Sequence, residues 1–399
     1  MNDEVLKPLM DLVAFKTVRY NVEDYERAAD YIVKLIEREI PEASVEVVEG
    51  IATYGKKRKV KNILAYVDAG ADKTVALVSH YDVVDAKGPR RIKVGDSVIE
   101  FDPFKPTLIG DRLYGRGAAD DKSAVVASIF ATKYALNELS KNVLLVIAAE
   151  EETGGEGGIK AVADKVAELA DEVIVIDGMY GVIANGASGV VHAKVKVYGT
   201  QGHAGMPFLC RNPTHALIRL LNTVLNYNIF GAYSELPVRS HFKTIADRLT
   251  ITRLSAGLES YNVISRDAEA GIDFRYVTEE PEAAEDMLKR IFYGAASSLG
   301  LSMEDVSVEI IGNHPSRYIP PNHPFITRFK EIAEEVTGDK HVVGVERGGN
   351  DGFIFARRGI PTLTYGAMTE DSNIHAPLEN LRLDVYEKLI KVLTEYLKR

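Results

Sequence analysis

Val75-Ala76-Leu77-Val78-Ser79-His80-Tyr81-Asp82, residues 75–82, is a short apolar run that ends in a histidine and a carboxylate. A brief, largely apolar run of this kind suits a buried strand, and such strands belong to parallel sheets covered on both faces. Two further runs repeat the design. Val143 to Ala149 passes into Glu150-Glu151-Glu152, and Val173 to Ile176 passes into Asp177-Gly178. Asn62 to Val67 adds another strand-like run. Helical stretches lie around them: Asp24 to Ile40 places Ala28, Ile32, Leu35 and Ile36 on one face, and Lys122 to Leu139 is rich in Ala and Val. This alternation predicts an α/β domain, a mainly parallel sheet with helices on both faces.

The pattern changes after about Asn185. Val190 to Tyr198, Leu249 to Arg253 and Ala270 to Tyr276 alternate polar and apolar residues, as half-solvated antiparallel strands do. Helices fit Pro213 to Asn226 and Pro281 to Leu299. The order is close to β-α-β-β-α-β, which predicts an inserted α+β, ferredoxin-like domain. From Pro320 the α/β pattern resumes and closes with a helix over Val385 to Leu397. The expected organisation is a first α/β part over 1–186, an insert over 187–314, and a second α/β part over 315–399.

Composition sets the outer limits. The chain has 399 residues, enough for two or three domains and a sizeable core. With 46% hydrophobic and 27% charged residues it is an ordinary globular chain, which excludes disorder and collagen-like structure. The net charge of −10 argues against a general nucleic-acid binder. Lys56-Lys57-Arg58-Lys59 is the strongest basic cluster; it reads as a solvated loop, with a polyanion patch as the lesser alternative. One cysteine, Cys210, allows neither a disulfide framework nor a thiolate zinc site and favours a cytoplasmic setting. Met1-Asn2-Asp3-Glu4 shows no secretory pattern, and no apolar run is long enough to span a membrane, so no membrane partner is expected.

The strand ends carry the chemistry. Ligands of open α/β sheets sit beyond the carboxyl ends of strands. One acidic strand end is an ordinary cap; three, one with a histidine, point to a shared crevice. Gly115-Arg116-Gly117-Ala118-Ala119-Asp120-Asp121-Lys122 adds a tight loop opening into a helix, and Asn373-Ile374-His375-Ala376-Pro377 adds a late histidine. Nitrogen and oxygen donors without cysteine suit Zn, Mn or Co in hydrolytic sites.

The ordered set H-x-D, G-R-G-x-x-D-x-K, an acidic pair before glycines, a later Asp and a C-terminal His resembles the dinuclear M20 metallopeptidases. That group includes dipeptidases, aminoacylases and succinyl-diaminopimelate desuccinylases. The resemblance implies two divalent cations per subunit, zinc or else Mn or Co, with Asp120 bridging. His80 and Asp177 would complete one position, and Glu152 with His375 the other. It implies Glu151 as general base, Asp82 as the residue orienting His80, and a cis bond between Asp120 and Asp121. The stretch Gly199 to Pro207 resembles the family segment whose His, here His203, reaches the neighbouring subunit's site, so a homodimer through the lid domain is implied. Asn262, Arg275, Gly349 and Asn350 resemble substrate-binding positions. Arg275 suits a carboxylate, and a structural pair with Asp273 competes with that reading. Asn350 stands where the family has Thr or Ser.

Glu151 and Glu152 are neighbours and would face opposite ways in a regular strand, so both reach one site only if the chain has left the strand there. The expected activity is metal-dependent hydrolysis of amide bonds in small peptides, as a dipeptidase or aminopeptidase. Asp at position 177 leans this way within the family. N-acyl amino-acid deacylation is the alternative, favoured by Gln201-Gly202-His203 and Arg211-Asn212-Pro213. A non-catalytic metal scaffold is a third reading, which a retained Glu151 disfavours. Gly50 to Lys57 nearly matches a phosphate-binding loop but has Lys57 where Ser or Thr is needed, and no G-x-S-x-G or H-E-x-x-H occurs. His192, His215, His241, His314, His323 and His341 match no ligand position.

Overall fold

The computed structural model describes residues 2–53, 57–87, 90–94, 97–226, 247–276, 281–346 and 349–399. Lys56, His241 and Gly348 lie outside the described residues. The chain divides into two compact units, one formed by Met1–Asn185, Ile319–Gly344 and Asn350–Arg399, the other by Gly186–Tyr318 and Val345–Gly349.

The first unit is built on a sheet of β1 (Ser44–Ala52), β2 (Arg58–Val67), β3 (Thr74–His80), β4 (Asn142–Ala148), β5 (Glu172–Val175), β6 (Val182–Ala187) and β7 (Thr362–Thr364). Their order is β1-β2-β4-β3-β5-β7-β6. The central pairs β4/β3, β3/β5 and β5/β7 are parallel. The flanking pairs β1/β2, β2/β4 and β7/β6 are antiparallel. The parallel centre is where the apolar runs lie: every residue of β3, β4 and β5 is buried. β1 leaves no buried apolar run in the sequence, because Glu46, Val47 and Glu49 are exposed at the sheet edge.

Alternate residues of the central strands feed two separate cores, as a period of two requires. Val75 and Leu77 of β3, with Val143 and Leu145 of β4, pack beneath α1 (Asp3–Ala14), α2 (Val22–Glu39), α3 (Lys122–Ala135), and the late helices Pro324–Thr337 and Leu383–Lys398. Ala76 and Val78, with Leu144 and Val146, pack with Val162 and Val166 of α4 (Ile159–Leu169) and with Phe355. Almost all of α3 is buried, which is why its sequence is so rich in small apolar residues. It tightens into a 3-10 turn at Leu136–Glu138 rather than running to Leu139.

The second unit runs strand Gly189–Tyr198, helix Pro213–Asn226, strands Arg248–Ala256 and Asp267–Tyr276, helix Pro281–Ser298 and strand Val306–His314, with two-residue strands between. The four long strands form one antiparallel sheet in which Asp267–Tyr276 and Gly189–Tyr198 are central. This is the ferredoxin-like order. Ala270, Ile272, Phe274 and Tyr276 point into a core shared with Leu217, Leu221, Leu288 and Phe292 of the two helices. No described helix is long and apolar enough to cross a membrane.

Candidate metal centre and active site

His80 ends β3, and the turn that follows brings Asp82 back against its ring. Asp82 Oδ1 lies 3.2 Å from His80 Nδ1, and Asp120 Oδ1 lies 3.2 Å from His80 Nε2. Asp82 does more than hold the imidazole. Its two carboxylate oxygens accept the backbone N–H groups of Glu151 at 3.0 Å and Glu152 at 3.1 Å. One buried carboxylate therefore ties the end of β3 to the turn after β4.

That turn shows how two adjacent glutamates serve one site. β4 ends at Ala148, Glu150 takes the left-handed conformation at φ 65°, and Glu151–Thr153 forms a 3-10 turn. The chain has left the strand, as the pairing of Glu151 with Glu152 requires. Glu150 is held from below: its carboxylate meets Arg58 at 2.9 Å, with side chains 2% and 11% exposed. The Arg58 guanidinium also sits 4.4 Å from the centre of the Tyr25 ring. This corrects the solvated-loop reading at Arg58 and Lys59, which open β2. Lys59 is exposed and paired with Glu49 on the strand surface, while Arg58 is drawn inward by a buried carboxylate that its neighbours in sequence do not reveal.

Asp120 stands at the end of the glycine loop, and the Asp120–Asp121 peptide bond is cis, the geometry that the resemblance implied. Its Oδ2 lies 3.1 Å from His375 Nε2, which is also 3.0 Å from Glu152 Oε1. Two donor triads result: His80, Asp120 and Asp177, and Asp120, Glu152 and His375. Within each triad the donor atoms all lie within 4.8 Å of one another. Asp120 belongs to both, and a carboxylate with two oxygens can serve two cations. All-nitrogen-and-oxygen triads converging in this way fit divalent cations such as Zn, Mn or Co.

The electrostatics favour positive charge. Burial pulls the His80 imidazole down, yet hydrogen bonds with Asp120 and Asp82 push it well above its ordinary value. Hydrogen bonds with Asp120 and Glu152 raise His375 to about 10. Burial pushes Glu151 well above the usual carboxylate range; His80 opposes it, and the nearby Asp351, Glu152 and Asp120 reinforce it. Burial likewise lifts Asp351 to about 7. Asp351, next to Asn350 in sequence, is buried in the field of Asp82 and His80. A cavity of about 210 Å³ adjoins His375, with Phe101, Pro103, Arg116, Pro377 and Leu378 in its wall.

The remaining predicted positions belong to neither triad. His203 is exposed on the short strand Gly202–His203 of the second unit, and its Nδ1 accepts the Gly205 N–H at 3.0 Å. Asn262 is exposed, and its carbonyl accepts the Ala204 N–H at 2.9 Å. Arg275 forks onto Asp273 at 2.8 and 3.0 Å. Gly349 is exposed in the second unit. Asn350 is buried in the first, donating to Thr364 Oγ1 at 2.8 Å and accepting the Gly352 N–H at 3.0 Å. Of the unassigned histidines, His323 caps the helix Pro324–Thr337, His341 is buried against the Tyr365 hydroxyl at 2.9 Å, and His192 pairs with Asp273.

The chain is similar to known proteins. A family model described as peptidase family M20/M25/M40 matches residues 76–399. A succinyl-diaminopimelate desuccinylase of Thioalkalivibrio sulfidiphilus is 27% identical over 343 residues, 82% of this chain and 83% of the relative. Among solved structures, an M20 family metallo-carboxypeptidase of Sulfolobus solfataricus superposes with a TM-score of 0.78 at 23% identity, covering 100% of this chain and 99% of its own. A di-peptidase of Saccharomyces cerevisiae gives 0.77 at 16% identity, covering 99% and 95%.

Proposed function

The chain belongs to peptidase family M20/M25/M40, and from that premise we propose that it hydrolyses amide bonds in small peptides as a dipeptidase or aminopeptidase. Two divalent cations, zinc in our reading, would be held by His80, Asp120 and Asp177 and by Asp120, Glu152 and His375. The observation that carries this is the sharing of Asp120 between the two triads. When bound, the cations supply Lewis-acid polarisation and lower the pKa of water toward neutrality. Glu151 takes the proton of the attacking water and returns it to the leaving amine. A positioned carboxylate can hold that proton between the two events. Asp82 keeps the His80 ring and the Glu151 main chain in place. His203 donates to the developing oxyanion, in the neighbouring subunit of a homodimer. The cavity beside His375 offers room for a side chain of the substrate.

The second unit, in this reading, is a lid and dimerisation domain. Support comes from its edge strand Arg248–Ala256, whose far end is exposed and carries Leu254 at 59% exposure. Asn262, Arg275, Gly349 and Asn350 are assigned to substrate binding. The single cysteine supports a cytoplasmic location.

A second reading, N-acyl amino-acid deacylation, is favoured by the desuccinylase among the relatives. The deciding experiment compares a free dipeptide with the matching N-acetyl amino acid, using enzyme loaded separately with Zn, Mn or Co. Preference for the free amine supports the peptidase; preference for the acylated substrate moves the assignment to a deacylase. Glu151→Gln is expected to lower turnover by about 10²–10⁴-fold with metal content unchanged. Full activity in that variant overturns the role of Glu151.

A further inference from the structure

We propose that Glu379 is a positioning residue that sets Asp120 against His375, an inference that rests on the two-cation reading above. Glu379 follows His375 by four residues and belongs to neither donor triad. Its carboxylate is buried at 2% exposure and points at the glycine loop. Oε1 accepts the backbone N–H groups of Gly117 at 3.0 Å, Ala119 at 3.1 Å and Asp120 at 3.1 Å. Oε2 is paired with Arg116. The Glu379 carbonyl accepts the Gly115 N–H at 3.1 Å. One residue thus accepts four of the six main-chain N–H groups from Gly115 to Asp120, while Arg116 donates to the Pro103 carbonyl and Ala118 to the Gly115 carbonyl.

The loop can present its donors inward because of Gly117. Its φ is +84°, and a Cβ there would stand 2.7 Å from Val83 Cγ1, so no other residue fits. Successive N–H groups converging on one point form a cradle for an anion. The anion here is supplied by the chain itself, from the segment that also carries His375. That segment is closed at its base, where the Asn380 N–H donates to the Ser372 carbonyl at 2.9 Å. A displacement of Glu379 therefore moves the main chain of Asp120 relative to His375. Alanine at 379 leaves three main-chain donors and a guanidinium buried without their acceptor, and the loop must turn to find others. Glutamine keeps one oxygen for the N–H groups but turns its NH2 toward Arg116, losing both the charge and the acceptor there.

The test uses the whole chain, stripped of metal and titrated with Co(II), with bound cobalt counted by equilibrium dialysis and the visible absorption recorded. Wild type is expected to take up two cobalt ions. Glu379→Ala is expected to keep one and to bind the other about 10- to 100-fold more weakly, the cost typical of losing a partner that orients a ligand, with an altered absorption band. Glu379→Gln is expected to fall between. If the alanine variant does not fold, the glutamine variant decides by the same measurements. Two cobalt ions bound with wild-type affinity and spectrum in the variants overturn the inference, even if the metal-free melting temperature drops, because that pattern marks a purely structural carboxylate. A wild-type chain that saturates below two cations overturns the two-cation reading itself, and this inference with it.

Discussion

Replacing Arg58 with methionine removes the cation beneath the turn that carries Glu151 and Glu152. It keeps an apolar stem against the Tyr25 ring. The Glu150 carboxylate is then buried without its partner, and burial already raises it above the usual carboxylate range despite Arg58. Breaking a buried pair costs about 3–5 kcal/mol. Glu150 can limit that cost by taking a proton. At pH 7, about 2.7 pH units above an ordinary glutamate pKa of about 4.3, protonation costs about 3.7 kcal/mol. At pH 5 the same step costs only about 1 kcal/mol.

The sign follows from proton binding. With its folded pKa raised, Glu150 binds more protons folded than unfolded between the two values, so stability falls as pH rises through that window. Arg58→Met is therefore expected to lose about 3–4 kcal/mol at pH 7 and about 1 kcal/mol at pH 5. The double variant Arg58→Met, Glu150→Gln is expected to recover most of the loss at pH 7. Urea unfolding of metal-free protein reads these values by circular dichroism, since the chain has no tryptophan. Turnover is expected to fall as well, with KM less affected, because the displaced turn carries Glu151. An equal loss at both pH values, or a double variant no more stable than the single one, refutes the reasoning.

Chelation is expected to lower the melting temperature along with activity, because Asp120, Glu152 and Asp177 crowd together and bound cations offset them. The linked stabilisation is about 2.7 kcal/mol for each site at a hundredfold excess of cation over its dissociation constant, and an unchanged melting temperature after complete metal removal counts against the centre. Asp82→Asn keeps the shape but offers an amide where two N–H groups and an imidazole need oxygens. It is expected to weaken cation binding by about 10- to 100-fold, measured by metal titration; wild-type affinity would show that Asp82 does not orient His80.

Much of this protein can be read from its sequence because the signals are local. The buried runs at Val75, Val143 and Val173 announce central strands. The alternation in Asp267–Tyr276 announces a half-solvated sheet. His80, Asp120, Glu152, Asp177 and His375 are legible as donor types beside those elements, and the family resemblance orders them. Tertiary structure alone decides what holds these donors in place. Arg58 lies 92 residues from Glu150, Asp82 lies 69 from Glu151, and Glu379 lies 259 from Asp120. Asp82 and Glu379 act on backbone N–H groups, which every residue but proline carries and which leave no mark in the sequence. Periodicity records which face of an element is buried; it does not record which distant carboxylate will meet an unpaired donor once the chain has closed.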